Sequence, residues 1–494
     1  MKKSLLYMAA GMLLLTGCNL DINDDPNYPS NDDITANLIF PSVENAVADV
    51  VGDQMFNYAG FFAQYFEQKP TANQYNDLAE LNLDESSNLF DRCYRLLYAG
   101  ALEDIEQVKS RVTNTSDLFA CAVMRAYCFQ LLVDNMDQAP YEEALQGSGN
   151  AMPKWDSGQA IYEGVLAELD EAQAALTGET MSVTDPMLNK DLNQWIGLAN
   201  ALRLRMYLRL IDGNVDAAGY TAKAKALVSA DNFFTGNVTW NVYSNAEGQY
   251  NPWYASYFAL GTGNHVAAYP IVTYYEYTND PRIAYAIDKT AHDGVYAGQI
   301  PGSKTLLKDW TGIAVNSSDQ YVSAIRYTPA INMPIYLYTQ AELQFLIAEV
   351  QMRFNNNASA AQAAYEAGVS ADFSDRGIAG AADFLAAGGS WTAATNKLEL
   401  IYMQKWVSLF YRDHMEAWTE LRRTDVPALS PYTGKQINDD PTVYTAGNMI
   451  VPAINYILVG GLPKRVPYPA IARQLNDNTP ETKLLSDRVF WDVK

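Results

Sequence analysis

The chain has 494 residues, 49% of them hydrophobic and 18% charged, the balance of a globular body with a sizeable core. Its formal net charge of -23 repels phosphate backbones and anionic lipid, so nucleic-acid partners are excluded. Length alone allows about three domains or one elaborated all-helical body.

At the N-terminus, Lys2 and Lys3 precede an apolar run from Leu5 that closes on Leu15-Thr16-Gly17-Cys18. A basic start, a short apolar stretch and a small residue before cysteine make a bacterial lipoprotein signal. The run falls far short of the about 20 apolar residues that cross a bilayer. Residues 1–17 are therefore expected to be cleaved and Cys18 to be lipidated, which takes Lys2 and Lys3 away and brings the charge to -25. Residues 18–36, with Asp21, Asp24, Asp25 and Pro26, read as an acidic tether. Acidic residues directly after such a cysteine are similar to the surface-export signal of some Gram-negative lipoproteins, so an outward-facing protein is expected, with periplasmic retention as the alternative. Asp21, Asn23, Asp25 and Asp32 imitate a calcium loop, but Pro26 stands where that loop needs glycine, and no metal is expected.

Residues 37–494 are expected to form one mostly α-helical domain. Between two early helices, the loop from Gln68 to Asp77 offers Asn73, Gln74, Tyr75 and Asn76 as hydrogen-bonding groups. Helical periodicity then comes in couples: 118–135 with 160–176, 192–210 with 218–228, and about 339–354 with 358–371. In the last couple Leu343, Leu346, Ile347, Val350 and Phe354 form one stripe, and alanines dominate its partner. Small residues where helices cross and Leu or Tyr at filling positions suggest degenerate tetratricopeptide-like repeats, an ordinary helical bundle being the alternative. Cys93, Cys121 and Cys128 lack a metal-binding spacing and are expected as free, buried core residues.

A different texture occupies residues about 231–335. Gly, Asn, Pro, Ser and Thr break every apolar run, which predicts loops and short strands. Yet 18 aromatics fall in residues 231–330, more than the 12% of the whole chain. Aromatic faces suit the C–H faces of pyranose rings, although loops over a helical scaffold also need small cores of their own. Trp253, Tyr254 and Tyr257, introduced by Asn251-Pro252, are expected to form an exposed stacking platform, joined by Trp310.

Catalytic signatures are missing from the sequence. His265, His292 and His414 sit in no metal motif and read as surface or packed imidazoles, and neither a nucleophile elbow nor a phosphate loop occurs. No cofactor is expected. The 57 acidic residues leave a glycosidase pair possible without any spacing that favours one.

The last third holds the most specific strings: Met403-Gln404-Lys405-Trp406, Glu416-Ala417-Trp418-Thr419-Glu420-Leu421-Arg422-Arg423, Leu462-Pro463-Lys464-Arg465-Val466-Pro467-Tyr468-Pro469 and Val489-Phe490-Trp491-Asp492. With Asn279-Asp280-Pro281-Arg282 and Thr339-Gln340-Ala341-Glu342, this series resembles the SusD/RagB family of outer-membrane nutrient-binding lipoproteins, in its SusD-like second subfamily. The resemblance implies tetratricopeptide-like helices carrying a loop-rich ligand face. It also implies a non-catalytic role, a glycan or oligosaccharide ligand, and a SusC-like TonB-dependent transporter as partner. Where relatives often carry glutamate after the Tyr-Pro pair, this chain has Ala470-Ile471-Ala472-Arg473. Ligand positions vary in the family, so only neighbourhoods carry over: the loop near Tyr75 and the insertion near Trp253 and Trp310. Three other readings stay open: a RagB-type peptide receptor, a surface glycoside hydrolase, and a repeat scaffold that docks proteins.

Overall fold

The computed structural model describes residues 34–84, 87–259, 263–304, 319–455 and 461–494. Cys18 with the signal segment, the tether as far as residue 33, and Trp310 lie outside these residues.

The chain opens with α1 (Ala36–Gly52) and α2 (Gln54–Phe62), separated by the single residue Asp53. After strand β1 (Phe66–Gln68) comes the short helix α3 (Asp91–Arg95). Three hairpins of helices carry the frame, and they coincide with the couples expected from periodicity. The first pairs α4 (Thr115–Met136) with α5 (Gly158–Ala174), and the second pairs α6 (Leu192–Asp212) with α7 (Ala217–Ala230). Each of these helices starts on a side-chain cap, from Asn114, Ser157, Asp191 and Asp216, that satisfies first-turn N–H groups. Helix α4 is long and apolar enough to cross a membrane, but its apolar window is 83% buried within the protein, as a core helix requires.

The insertion contains β2 (Val238–Trp240), α8 (Pro252–Tyr257), β3 (His265–Ala267) and α9 (Tyr269–Thr278). Short strands and loops were the expectation, and α9 departs from it. Pro270 lies in the first helical turn, where its missing N–H costs nothing, and Asn279 ends the helix in the left-handed region. Strand β4 (Ile335–Tyr338) leads into the third hairpin, α10 (Gln340–Arg353) with α11 (Ala358–Asp375). Small residues mark its crossing: Ala361 and Ala364 are buried, and a Cβ on Gly368 would stand 2.9 Å from the Phe345 ring. Helices α12 (Lys397–Leu409) and α13 (His414–Thr424) close the body.

A buried ionic spine joins α13 to the hairpins. Arg205 binds Glu342 through two hydrogen bonds of 2.7 and 2.6 Å, Arg209 reaches Asp134 at 2.7 Å and Glu416 at 2.5 Å, and Arg423 reaches Glu349 at 2.7 Å and Asp212 at 2.6 Å. All of these side chains are at least nine-tenths buried, so each charge depends on its partners for compensation. The alternating charges of the Glu416–Arg423 string serve this locking. Cys93, Cys121 and Cys128 are free and buried, as expected.

Candidate functional site

Loop and insertion meet through main-chain pairing. Strands β1 and β3 are antiparallel, with Phe66 opposite Ala267 and Gln68 opposite His265. The pairing extends outward: the Ala267 N–H donates to the Ser323 carbonyl and the Gln299 N–H to the Ala267 carbonyl, both at 2.8 Å. Glu67 bridges the two halves, its carboxylate accepting from the Gln68 N–H at 2.8 Å and the Gly302 N–H at 3.2 Å. Burial pushes this carboxyl up to about 8 against those two hydrogen bonds.

Gln68 shapes the loop that follows. Its side-chain oxygen accepts from the Tyr75 N–H and its amide donates to Asn76 Oδ1 at 2.7 Å, curling residues 69–76 into a compact turn. The turn is then pinned to the insertion by the Thr71 hydroxyl on Asp319 at 2.6 Å and by Asn264 Nδ2 on the Gln74 side chain at 2.8 Å. Asn73 is exposed and accepts from Lys304 at 3.5 Å.

Behind the turn lies a cleft of about 510 Å³. Asp53 and Gln54 form its inner wall, Asn88, Asp91 and Arg92 stand on one side, and Ser256 and Tyr257 face them from α8. Arg92 spans two carboxylates, Asp53 at 2.6 Å and Asp49 at 2.7 Å. Burial raises the Asp53 carboxyl above the ordinary carboxylate range, opposed by Ser256 and Arg92. Gln54 Oε1 is buried without a hydrogen-bond partner among the described residues. An unpaired buried acceptor costs about 1–3 kcal/mol, so this oxygen favours a partner that brings an O–H or N–H donor.

The structure sorts the sequence-predicted residues. Tyr257 is half-buried and lines the cleft. Tyr254, also half-buried, belongs to an aromatic ridge: its ring lies 5.2 Å from Tyr250, 6.3 Å from Phe258 and 6.2 Å from Tyr327, which is 46% exposed. Asn73 is exposed but does not line the cleft, whereas Asn76 is partly buried and engaged by Gln68.

Two expectations are corrected. Trp253 is fully buried, so it presents no stacking face. Asn251 caps α8 and turns the indole inward, where Nε1 donates to Asn57 Oδ1 at 3.2 Å and the ring packs edge-on against Phe56 and Phe258. Tyr75 is also buried, and its hydroxyl has no partner among the described residues. Its ring instead packs 5.4 Å from Phe61, 4.6 Å from His265 and 6.2 Å from Tyr257, making it a wall beneath the site.

Asp53, Gln54, Asn88 and Arg92 went unmarked in the sequence. The available signal was Asp53 itself, a charged residue that interrupts the apolar run Val50-Val51-Gly52 where helical periodicity would continue.

His265 and His414 are packed, their rings 3 Å or less from Asn57 Oδ1 and the Phe56 carbonyl respectively, and burial lowers both to about 3. His292 is exposed. No cluster of three or more His, Cys, Asp or Glu among the described residues could hold a metal ion.

Comparison with known families matches residues 26–445 to the SusD-like model described as starch-binding associating with outer membrane. The chain belongs to the SusD-like family.

Solved structures share the SusD-like fold along nearly the whole chain. A chitin-binding protein is 22% identical with a TM-score of 0.71, over 93% of this chain and 100% of its own. A chitin-binding SusD homologue from Flavobacterium johnsoniae is 20% identical with a TM-score of 0.69, over 93% and 98%. A SusD homologue from Bacteroides thetaiotaomicron is 19% identical with a TM-score of 0.68, over 92% and 99%. At these identities the likeness establishes the fold. No curated protein matches the chain.

Proposed function

We propose that this SusD-like protein is a cell-surface lipoprotein of the outer membrane, anchored through Cys18, that captures an oligosaccharide and passes it unaltered to a SusC-like TonB-dependent transporter. Residues 1–17 are the cleaved signal, 18–36 the tether, and 37–494 the binding domain, with the loop-rich insertion at about 231–335 supplying Tyr257 and Ser256 to the ligand face. One observation carries the reading of the site: a 510 Å³ cleft places the Tyr257 ring beside the Asp53 carboxyl and beside Gln54 Oε1, a buried acceptor without a partner among the described residues. A sugar complements both features, with hydroxyl donors for the oxygens and C–H faces for the ring.

Arg92 orients further hydroxyls, exposed Asn73 adds a contact from the early turn, and Tyr254 with Tyr327 offers a second ring surface. Asn76 and Tyr75 act behind these groups by holding the turn and its floor. Few contacts of this kind reach nanomolar affinity, so Kd is expected to be micromolar or weaker.

Two of the similar structures bind chitin by description, which makes chitin fragments the first probe. Purified protein is run through native gels containing glycol chitin, amylopectin, xylan or mannan, and the same glycans are assayed for new reducing ends. Retardation without new ends, weakened by Tyr257→Ala at unchanged melting temperature, supports capture. New reducing ends overturn the non-catalytic reading, and retention by casein peptides alone favours a peptide receptor. Copurification from outer membranes without a large barrel protein defeats the transporter partnership.

A further inference from the structure

A second groove lies between the end of α9, the loop before α12, and residues 444–448. It encloses about 600 Å³ and shares no lining residue with the Asp53–Tyr257 cleft. Two glycines allow its walls to close. A Cβ on Gly388 would meet the Thr278 carbonyl oxygen at 1.9 Å, and Gly447, at φ +84°, would place one 2.8 Å from the Tyr274 ring. Both are backbone approaches that a side chain forbids.

The lining is aromatic and hydroxylic. Tyr277 projects with 76% of its surface exposed, an unusual position for a large ring. The Tyr274 hydroxyl accepts from Gln404 at 3.1 Å and its ring is buried as the groove's floor, whereas Tyr444 is only partly buried and its hydroxyl donates to the Asn448 carbonyl. Asn396 and Glu399 stand opposite, both exposed, and Glu399 makes no ion pair among the described residues. No Lys or Arg lines the groove.

We propose that this groove is a second saccharide site, which takes a neutral sugar unit stacked on Tyr277 with its hydroxyls on Glu399 and Asn396. The absence of cations from the lining disfavours phosphorylated or carboxylated ligands, and a free carboxylate beside an exposed ring suits a polyhydroxyl group. Two sites on one anchored molecule raise the effective concentration of a polymer at the principal cleft. The proposal goes beyond the reading of that cleft and stands on separate residues.

The test uses the full mature chain in native gels containing glycol chitin, amylopectin, xylan or mannan. Tyr257→Ala is expected to leave a residual retardation, and adding Tyr277→Ala or Glu399→Gln is expected to remove it, with apparent affinity about fivefold to tenfold weaker for each lost contact. Both positions are exposed, so melting temperature stays unchanged. Residual retardation that persists in the double variant overturns the second site, as does its complete loss with Tyr257→Ala alone. If Tyr257→Ala has no effect while Tyr277→Ala abolishes retardation, the second groove stands and the reading of the principal cleft fails. A parent protein retarded by none of the four glycans defeats both.

Discussion

Tyr75 and Tyr257 hold their ring centroids 6.2 Å apart, one from the early turn and one from the insertion, and so join the two segments that build the cleft. Only Tyr257 faces the cleft. Tyr75 supports it from below, packed on Phe61 and His265. This division of floor and lining decides what substitutions in the region do.

Trp253→Ala should act on stability. The indole is fully buried among Phe56, Phe66, Phe258 and Tyr411, and truncating a large core aromatic costs about 3–5 kcal/mol. Urea denaturation should show a lower midpoint, with any loss of glycan retention following from the fraction unfolded. A stable Trp253→Ala protein with weakened binding would restore the ring to a ligand-facing role.

Arg209→Met should destabilise the protein by about 3–5 kcal/mol, because Asp134 and Glu416 then remain buried without their shared cation. Chemical denaturation measures the change, and a loss below about 1 kcal/mol would mean the two carboxylates are compensated by other groups.

Glu44 gives stability a pH dependence. It is fully buried near Asp185, and burial first, then Asp185, raises its carboxyl to about 10. In the unfolded chain the same group ionises near 4.5. A raised carboxyl is neutral in the native state and charged in the unfolded one between those values, so its contribution is complete below pH 4.5 and is lost as pH rises towards 10. Stability of the parent protein should fall through this window, at up to about 1.4 kcal/mol per pH unit from this group. Glu44→Gln should flatten the slope between pH 5 and 9 in urea titrations at several pH values, leaving the part due to other raised carboxyls such as Glu67 and Glu342, at about 8, and Asp413, at about 7. An unchanged slope would show Glu44 to be ionised in the native protein.

The three described thiols should be inert. Burial pushes Cys93 and Cys128 up to about 12 and Cys121 further, so thiolate is scarce at neutral pH. A disulfide reagent such as 5,5′-dithiobis(2-nitrobenzoate) should leave Cys93, Cys121 and Cys128 unlabelled in the native protein and modify all three in urea. Rapid native labelling of any of them would reveal local opening.

The helical frame was legible because its signal is local. Side chains three and four apart share a face, so Leu343, Leu346 and Val350 announced their helix and the alanines of α11 announced its partner. The site was less legible because it is assembled from distant segments. Nothing in the string Trp253-Tyr254-Ala255-Ser256-Tyr257 tells which ring turns inward; the Asn251 cap and the α8 helical rotation decide that, and they send Trp253 to the core and Tyr257 to the cleft. Asp53 and Arg92 meet only because α2 and α3 pack together, which no spacing records. Gln68 is another residue whose role is set by contact, since its single side chain holds both Tyr75 and Asn76.

The spine also dictates an order of assembly. Arg205 and Arg209 lie on α6; Arg209 already has Asp134 before it in the chain, but Glu342, which neutralises Arg205, comes much later. A polypeptide that emerges from its N-terminus onward is therefore expected to bury Arg205 late, once α10 has supplied its carboxylate.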